Sequence, residues 1–161
     1  MTTVDLENAI PVEEILQQAL SGEVLTSALD FISFLRQHDL PPLAVGKNSW
    51  QVPYQGEILC NLWLAEELDP VSVFVWPYYD GKEPPEGFTF EEPLQRTAIA
   101  HVNYCTTGHC DQSPGLTQVI FGQSFEKVCT APIAFINPDQ EAIACAKRLV
   151  EMRKFVLDQT V

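Results

Sequence analysis

The side chains best able to do chemistry crowd into one stretch. From His101 to Cys110 the chain reads His-Val-Asn-Tyr-Cys-Thr-Thr-Gly-His-Cys, which holds two of its three histidines and two of its five cysteines. Imidazole and thiolate both ligate metals, and both titrate closer to neutrality than most side chains. With Cys129 added, the set His101, Cys105, His109, Cys110 and Cys129 supplies nitrogen and sulfur donors of the kind tetrahedral zinc prefers. A helix reaching Tyr104 would set His101 and Cys105 four residues apart on one face, and the turn at Gly108 would bring Cys110 back toward them. The spacing is not that of a paired zinc knuckle, since four residues separate Cys105 from Cys110 and no second pair follows. The competing expectation is that these cysteines are small core hydrophobes. A thiol-dependent reading, with Cys105 and Cys110 as a redox pair or one of them as nucleophile, meets two objections. There is no Cys-x-x-Cys, and the expected helix C-terminus at Cys105 carries a dipole that disfavours a thiolate.

A second group of residues points to binding. Trp50, Trp63, Trp76, Tyr78 and Tyr79 fall in or just after a run of alternating apolar and polar residues, and a loop rich in Pro and Gly, Asp80 to Gly87, follows at once. Alternation puts Trp63 on the opposite face from Cys60 and Leu62. One sheet face is therefore expected to be an aromatic floor for an apolar or cationic ligand, a small molecule or a protein. The competing expectation is that helices cover these rings.

Other catalytic templates are absent. The chain has no Gly-x-Ser-x-Gly elbow, no phosphate-binding glycine loop, no His-Glu-x-x-His and no Gly-x-Gly-x-x-Gly. The pairs Glu13-Glu14, Glu66-Glu67 and Glu91-Glu92 are sequence neighbours that point apart, which suits solvated surface better than paired acid and base. Nine Lys and Arg against 22 Asp and Glu leave a formal charge of −13, which repels phosphate backbones and anionic lipid headgroups. Nucleic acid and membrane surface are thereby excluded as expected partners. The first residues lack a basic segment followed by an apolar core, and no apolar run is long enough to span a bilayer. An odd number of cysteines without such a leader argues for reduced thiols in a cytoplasmic protein.

The elements that must position these residues follow from periodicity. Helices are expected over residues 11–21, where Pro11 suits the first turn, and from Glu23 to His38, where Phe31, Ile32 and Leu35 point inward. A meander over residues 50–78 comes next, with a turn at Gln55-Gly56. A helix is expected from Glu92 to Tyr104, with a strand over Thr97 to Asn103 as the alternative, then a strand from Leu116 to Phe121, a break at Gly122 to Ser124, and a strand from Ala131 to Ile136. Asn137 is expected to cap the last helix, in which Ala142, Cys145, Leu149, Met152 and Val156 recur at helical spacing. Together these predict a single α+β domain over residues 1–161. Its mainly antiparallel sheet of about five strands would pack against N-terminal and C-terminal helices. The reading favours a binding domain over an enzyme, with zinc or thiol chemistry at the His/Cys cluster as the alternative.

Overall fold

The computed structural model describes residues 10–105 and 115–160. Their order is α1 (Val12–Ala19), α2 (Gly22–Gln37), β1 (Leu43–Gly46), β2 (Ser49–Tyr54), β3 (Glu57–Ala65), β4 (Ser72–Pro77), α3 (Glu92–Ala100), β5 (Val102–Tyr104), β6 (Leu116–Ile120), β7 (Gln123–Ile133), β8 (Phe135–Ile136) and α4 (Gln140–Gln159). A five-stranded antiparallel sheet runs β1-β2-β3-β4-β8, and a three-stranded sheet runs β5-β7-β6. With helices at both ends this is the α+β class. No helix among the described residues is long and apolar enough to cross a membrane.

Local chemistry explains most of the boundaries. In α2, Ala28, Phe31, Ile32 and Leu35 are buried at spacings of three, one and three, which makes one apolar stripe. That helix ends where Asp39 adopts a left-handed φ of 56° and the Leu40 N–H donates back to Leu35 O at 2.8 Å. This is the geometry that satisfies orphan carbonyls at a helix exit. The β2–β3 and β6–β7 hairpins turn on Gln55-Gly56 and Phe121-Gly122, and all four residues have positive φ. Tight two-residue hairpins require that conformation, and glycine adopts it without a steric penalty.

The larger sheet buries one face. Trp50 and Val52 of β2 pair with Leu62 and Cys60 of β3, and Leu62 and Leu64 pair in turn with Val75 and Val73 of β4. All seven are buried, in one cluster with Phe31, Ile32 and Leu35 of α2 and with Ala142, Cys145, Leu149 and Met152 of α4. The C-terminal helix thus buries Ala142, Cys145, Leu149 and Met152 of the predicted stripe, whereas Val156 is only half-buried and lies outside that cluster; truncating a fully buried member such as Leu149 to Ala would cost about 2–5 kcal/mol.

Four expectations need correction. The helix over 92–104 stops at Ala100, because Val102 to Tyr104 pair with β7 and the Asn103 amide donates to Ala131 O at 2.9 Å. Tertiary pairing prevails there over a weak helical pattern. Leu43–Gly46 adds an edge strand where no strand was expected. The segment after Gly122 is no break but a strand of 11 residues. The five strands of the larger sheet therefore include β1 and β8, while β6 and most of the later β run belong to the smaller sheet. The cap of α4 is Asp139, whose carboxylate accepts the Ala142 N–H at 2.8 Å, and not Asn137. Asn137 instead ties the helix entry to β4: its Oδ1 accepts the Val73 N–H at 2.9 Å, and its Nδ2 donates to Ser72 Oγ at 3.1 Å.

Candidate functional site

The face of the larger sheet opposite the helices is aromatic. Side chains across paired strands share a face, so Ser49, Trp63, Phe74 and Ile136 form one row and Gln51, Asn61 and Trp76 the next. Trp63 and Trp76 are nearly parallel, 13° apart with centroids 6.1 Å apart, and Phe74 lies 4.9 Å from Trp63 and 5.5 Å from Trp76. All three rings are half-buried, and Ile136 is exposed. Neither row carries a charged side chain. The C-terminal end of β7 borders this face, and two adjoining clefts share Asn61, Trp76 and Ala131. One, of about 230 Å3, runs beneath Thr130 and Pro132, and the other, of about 370 Å3, opens toward Val45 and Ser49.

Of the five aromatics predicted to line a binding face, Trp63 and Trp76 stand together on this one. Trp50 does not, because alternation in β2 turns it into the helix-side core, where it is buried. Tyr78 lies beyond the end of β4 and packs its ring under the Arg153 guanidinium, with the guanidinium carbon 4.1 Å from the centroid. Tyr79 is buried, and its hydroxyl accepts the Phe121 N–H at 2.8 Å. Burial raises the Tyr79 phenol above its ordinary value, which keeps it protonated. Phe74 and Asn61 were missed, although the alternation Val73-Phe74-Val75-Trp76 puts Phe74 on the same face as Trp76.

The predicted His/Cys cluster is only partly described. His109 and Cys110 lie outside the described residues. His101 ends α3, its Nδ1 donates to Thr97 O at 2.7 Å, and its ring packs 4.8 Å from Phe135. Cys105 does not stand one helical turn from His101, because a strand intervenes. Its backbone N–H donates to Lys127 O at 2.7 Å, on the strand that carries Cys129. Cys105 and Cys129 are half-buried free thiols. Among the described residues no group of three or more His, Cys, Asp or Glu side chains is arranged to hold a metal ion. Cys60 and Cys145 are buried in the core, as their places in β3 and α4 predict. Burial pushes both thiols up, that of Cys145 to about 12.

Comparison of the chain with protein-family models, with curated proteins and with solved structures finds no match.

Proposed function

We propose that this chain is a binding domain whose ligand is an uncharged planar molecule lying across Trp63, Phe74 and Trp76. The observation that carries the reading is the trio of packed rings on the sheet face opposite the buried helix-side cluster. Large aromatic surface left half-open to water is a source of binding free energy, because covering it releases water at about 25 cal/mol per Å2. Charge selects the ligand class. The paired rows around the rings hold only Ser, Asn, Gln and apolar side chains, so an anion placed there would lose hydration without gaining a partner, and a cation would find only the ring faces and no carboxylate in those rows to offset its lost hydration. The neutral amides of Asn61 and Gln51 would instead orient a ligand by hydrogen bonds at the edge of the aromatic floor.

The test uses Nile red, an uncharged planar dye. Saturable enhancement of its emission is expected with the unmodified protein, and replacing Trp63 and Trp76 together by Ala should weaken binding at least about tenfold. Circular dichroism of the double variant checks that the sheet persists. A linear, unsaturable response, or the same affinity in a folded double variant, would refute the reading.

A second reading, zinc or thiol chemistry at His101, Cys105, His109, Cys110 and Cys129, has one observation in its favour. A carbonyl can only accept, so the contact with Thr97 O assigns the proton to Nδ1 of His101. That leaves Nε2 as the free lone pair of the neutral ring, the arrangement common among metal-bound histidines. Zinc analysis of untagged protein tests it, and content that Cys105→Ser leaves unchanged would dispose of it.

A further inference from the structure

Another cleft, which shares Tyr78 and Tyr79 with the cleft of about 230 Å3, lies between the segment that follows β4 and the C-terminal half of α4. It holds about 160 Å3, and Tyr78, Tyr79, Pro85, Met152 and Val156 give it apolar walls. Arg153 lines it from α4. The Arg153 side chain is only 15% exposed, and its Nε is buried with no hydrogen-bond partner among the described residues. Its contact with Glu57, Nη2 to Oε2 at 3.8 Å, is longer than a hydrogen bond. A guanidinium presents five donors in a planar fork, and burying such donors without acceptors is costly. The Tyr78 ring beneath it fixes the plane of the fork.

We propose that this cleft binds a small monocarboxylate with an aromatic or short aliphatic body, anchored by Arg153. Carboxylate is the group whose two oxygens match the guanidinium fork. The volume of about 160 Å3 is close to that of an apolar protein cavity known to take benzene, roughly 150 Å3, so the body is one ring or its equivalent. Single charge follows from the surroundings. Asp80 and Glu83 line the cleft beside Lys82, and the chain as a whole carries −13, so a dianion such as phosphate would meet about twice the repulsion that one carboxylate meets. The proposal is independent of the aromatic rows, because it draws on none of Trp63, Phe74 and Trp76.

The experiment is a titration of the isotopically labelled full chain with sodium benzoate, sodium hexanoate and neutral benzamide, followed by NMR. Saturable shifts of the Arg153 Nε–H and of Tyr78 and Met152 signals are expected with either carboxylate and not with benzamide. Arg153→Met should weaken benzoate binding about ten- to a hundredfold, the scale of a charge-assisted hydrogen-bonded pair, and Arg153→Lys should recover part of it. Trp63→Ala should leave benzoate affinity unchanged, which separates this site from the sheet face. No saturable shift with either carboxylate, an equal response to benzamide, or undiminished affinity in Arg153→Met overturns the proposal. The comparison of carboxylate with amide uses unmodified protein, so a variant that fails to fold does not remove the test.

Discussion

Substitution of Asn137 separates two roles an asparagine can play before a helix. The residue has a φ of 47°, its Oδ1 accepts the Val73 N–H, its Nδ2 donates to Ser72 Oγ, and its own N–H donates to Val73 O at 2.8 Å. It thus extends the pairing of β4 with β8 by one side chain. Asn137→Ala removes both side-chain bonds, at about 1 kcal/mol each, and leaves a Cβ-bearing residue without a local hydrogen bond in a left-handed conformation that costs roughly 1–2 kcal/mol more. The expected loss is about 3–4 kcal/mol, on the order of 10 °C in Tm for a chain of this size. Asn137→Gly loses the same bonds and escapes the conformational cost, so it should be milder than Ala by about 1 kcal/mol. Asn137→Asp retains the acceptor for Val73 N–H and loses only the donor to Ser72, so about 1 kcal/mol is expected. The assay is urea unfolding followed by tryptophan fluorescence, with unchanged slopes required before midpoints are compared. The order of loss should be Ala, then Gly, then Asp. Equal effects of Ala and Gly, or losses below about half a kcal/mol in all three, would refute the reasoning. As a companion, Asp139→Ala should lose about 1 kcal/mol as the true N-cap of α4.

Two further predictions concern titration and reactivity. Alkylation of native protein with iodoacetamide near about pH 8 should spare Cys60 and Cys145, whose thiols burial pushes up, while labelling the half-buried Cys105 and Cys129. Peptide mass spectrometry reads the sites, and prompt native labelling of Cys145 would contradict its contact with Leu94 O at 3.3 Å in the core. The hydrogen bonds from Arg36 hold the Glu13 carboxyl below its ordinary 4.5. A depressed carboxylate contributes stability above its unfolded value and loses it as pH falls through the lower folded value. Glu13→Gln should therefore be slightly less stable than the parent near neutrality, because the pair is exposed to solvent. The two urea midpoints should converge as the pH is taken below 4.5, and a gap that widens in acid would reverse the assigned sign.

Local patterns in the chain were enough to determine several elements. The stripe in α2, the stripe of α4 through Cys145 and Leu149, and the turn at Gln55-Gly56 are all readable from neighbours within about seven residues. The alternation of β3 also set Trp63 against Cys60 and Leu62 before any strand was paired with another. Periodicity of this kind records which face of an element is apolar. It does not record what that face will meet.

Only the tertiary structure decided the rest. Strand pairing made residues 102–104 extended and took Cys105 off the helical turn that would have carried it back toward His101. The bond between Val73 and Asn137 spans 64 positions, so no local window distinguishes that asparagine from a helix cap. Trp50 and Trp63 read alike as strand tryptophans, yet the helices buried the first, while the second stayed on the open face beside Phe74 and Trp76. Arg153 reads as an ordinary cation near the end of a helix. What singles it out is the packing of Tyr78 against it and a burial that leaves Nε with no acceptor among the described residues, both set by contacts across more than 70 residues of chain.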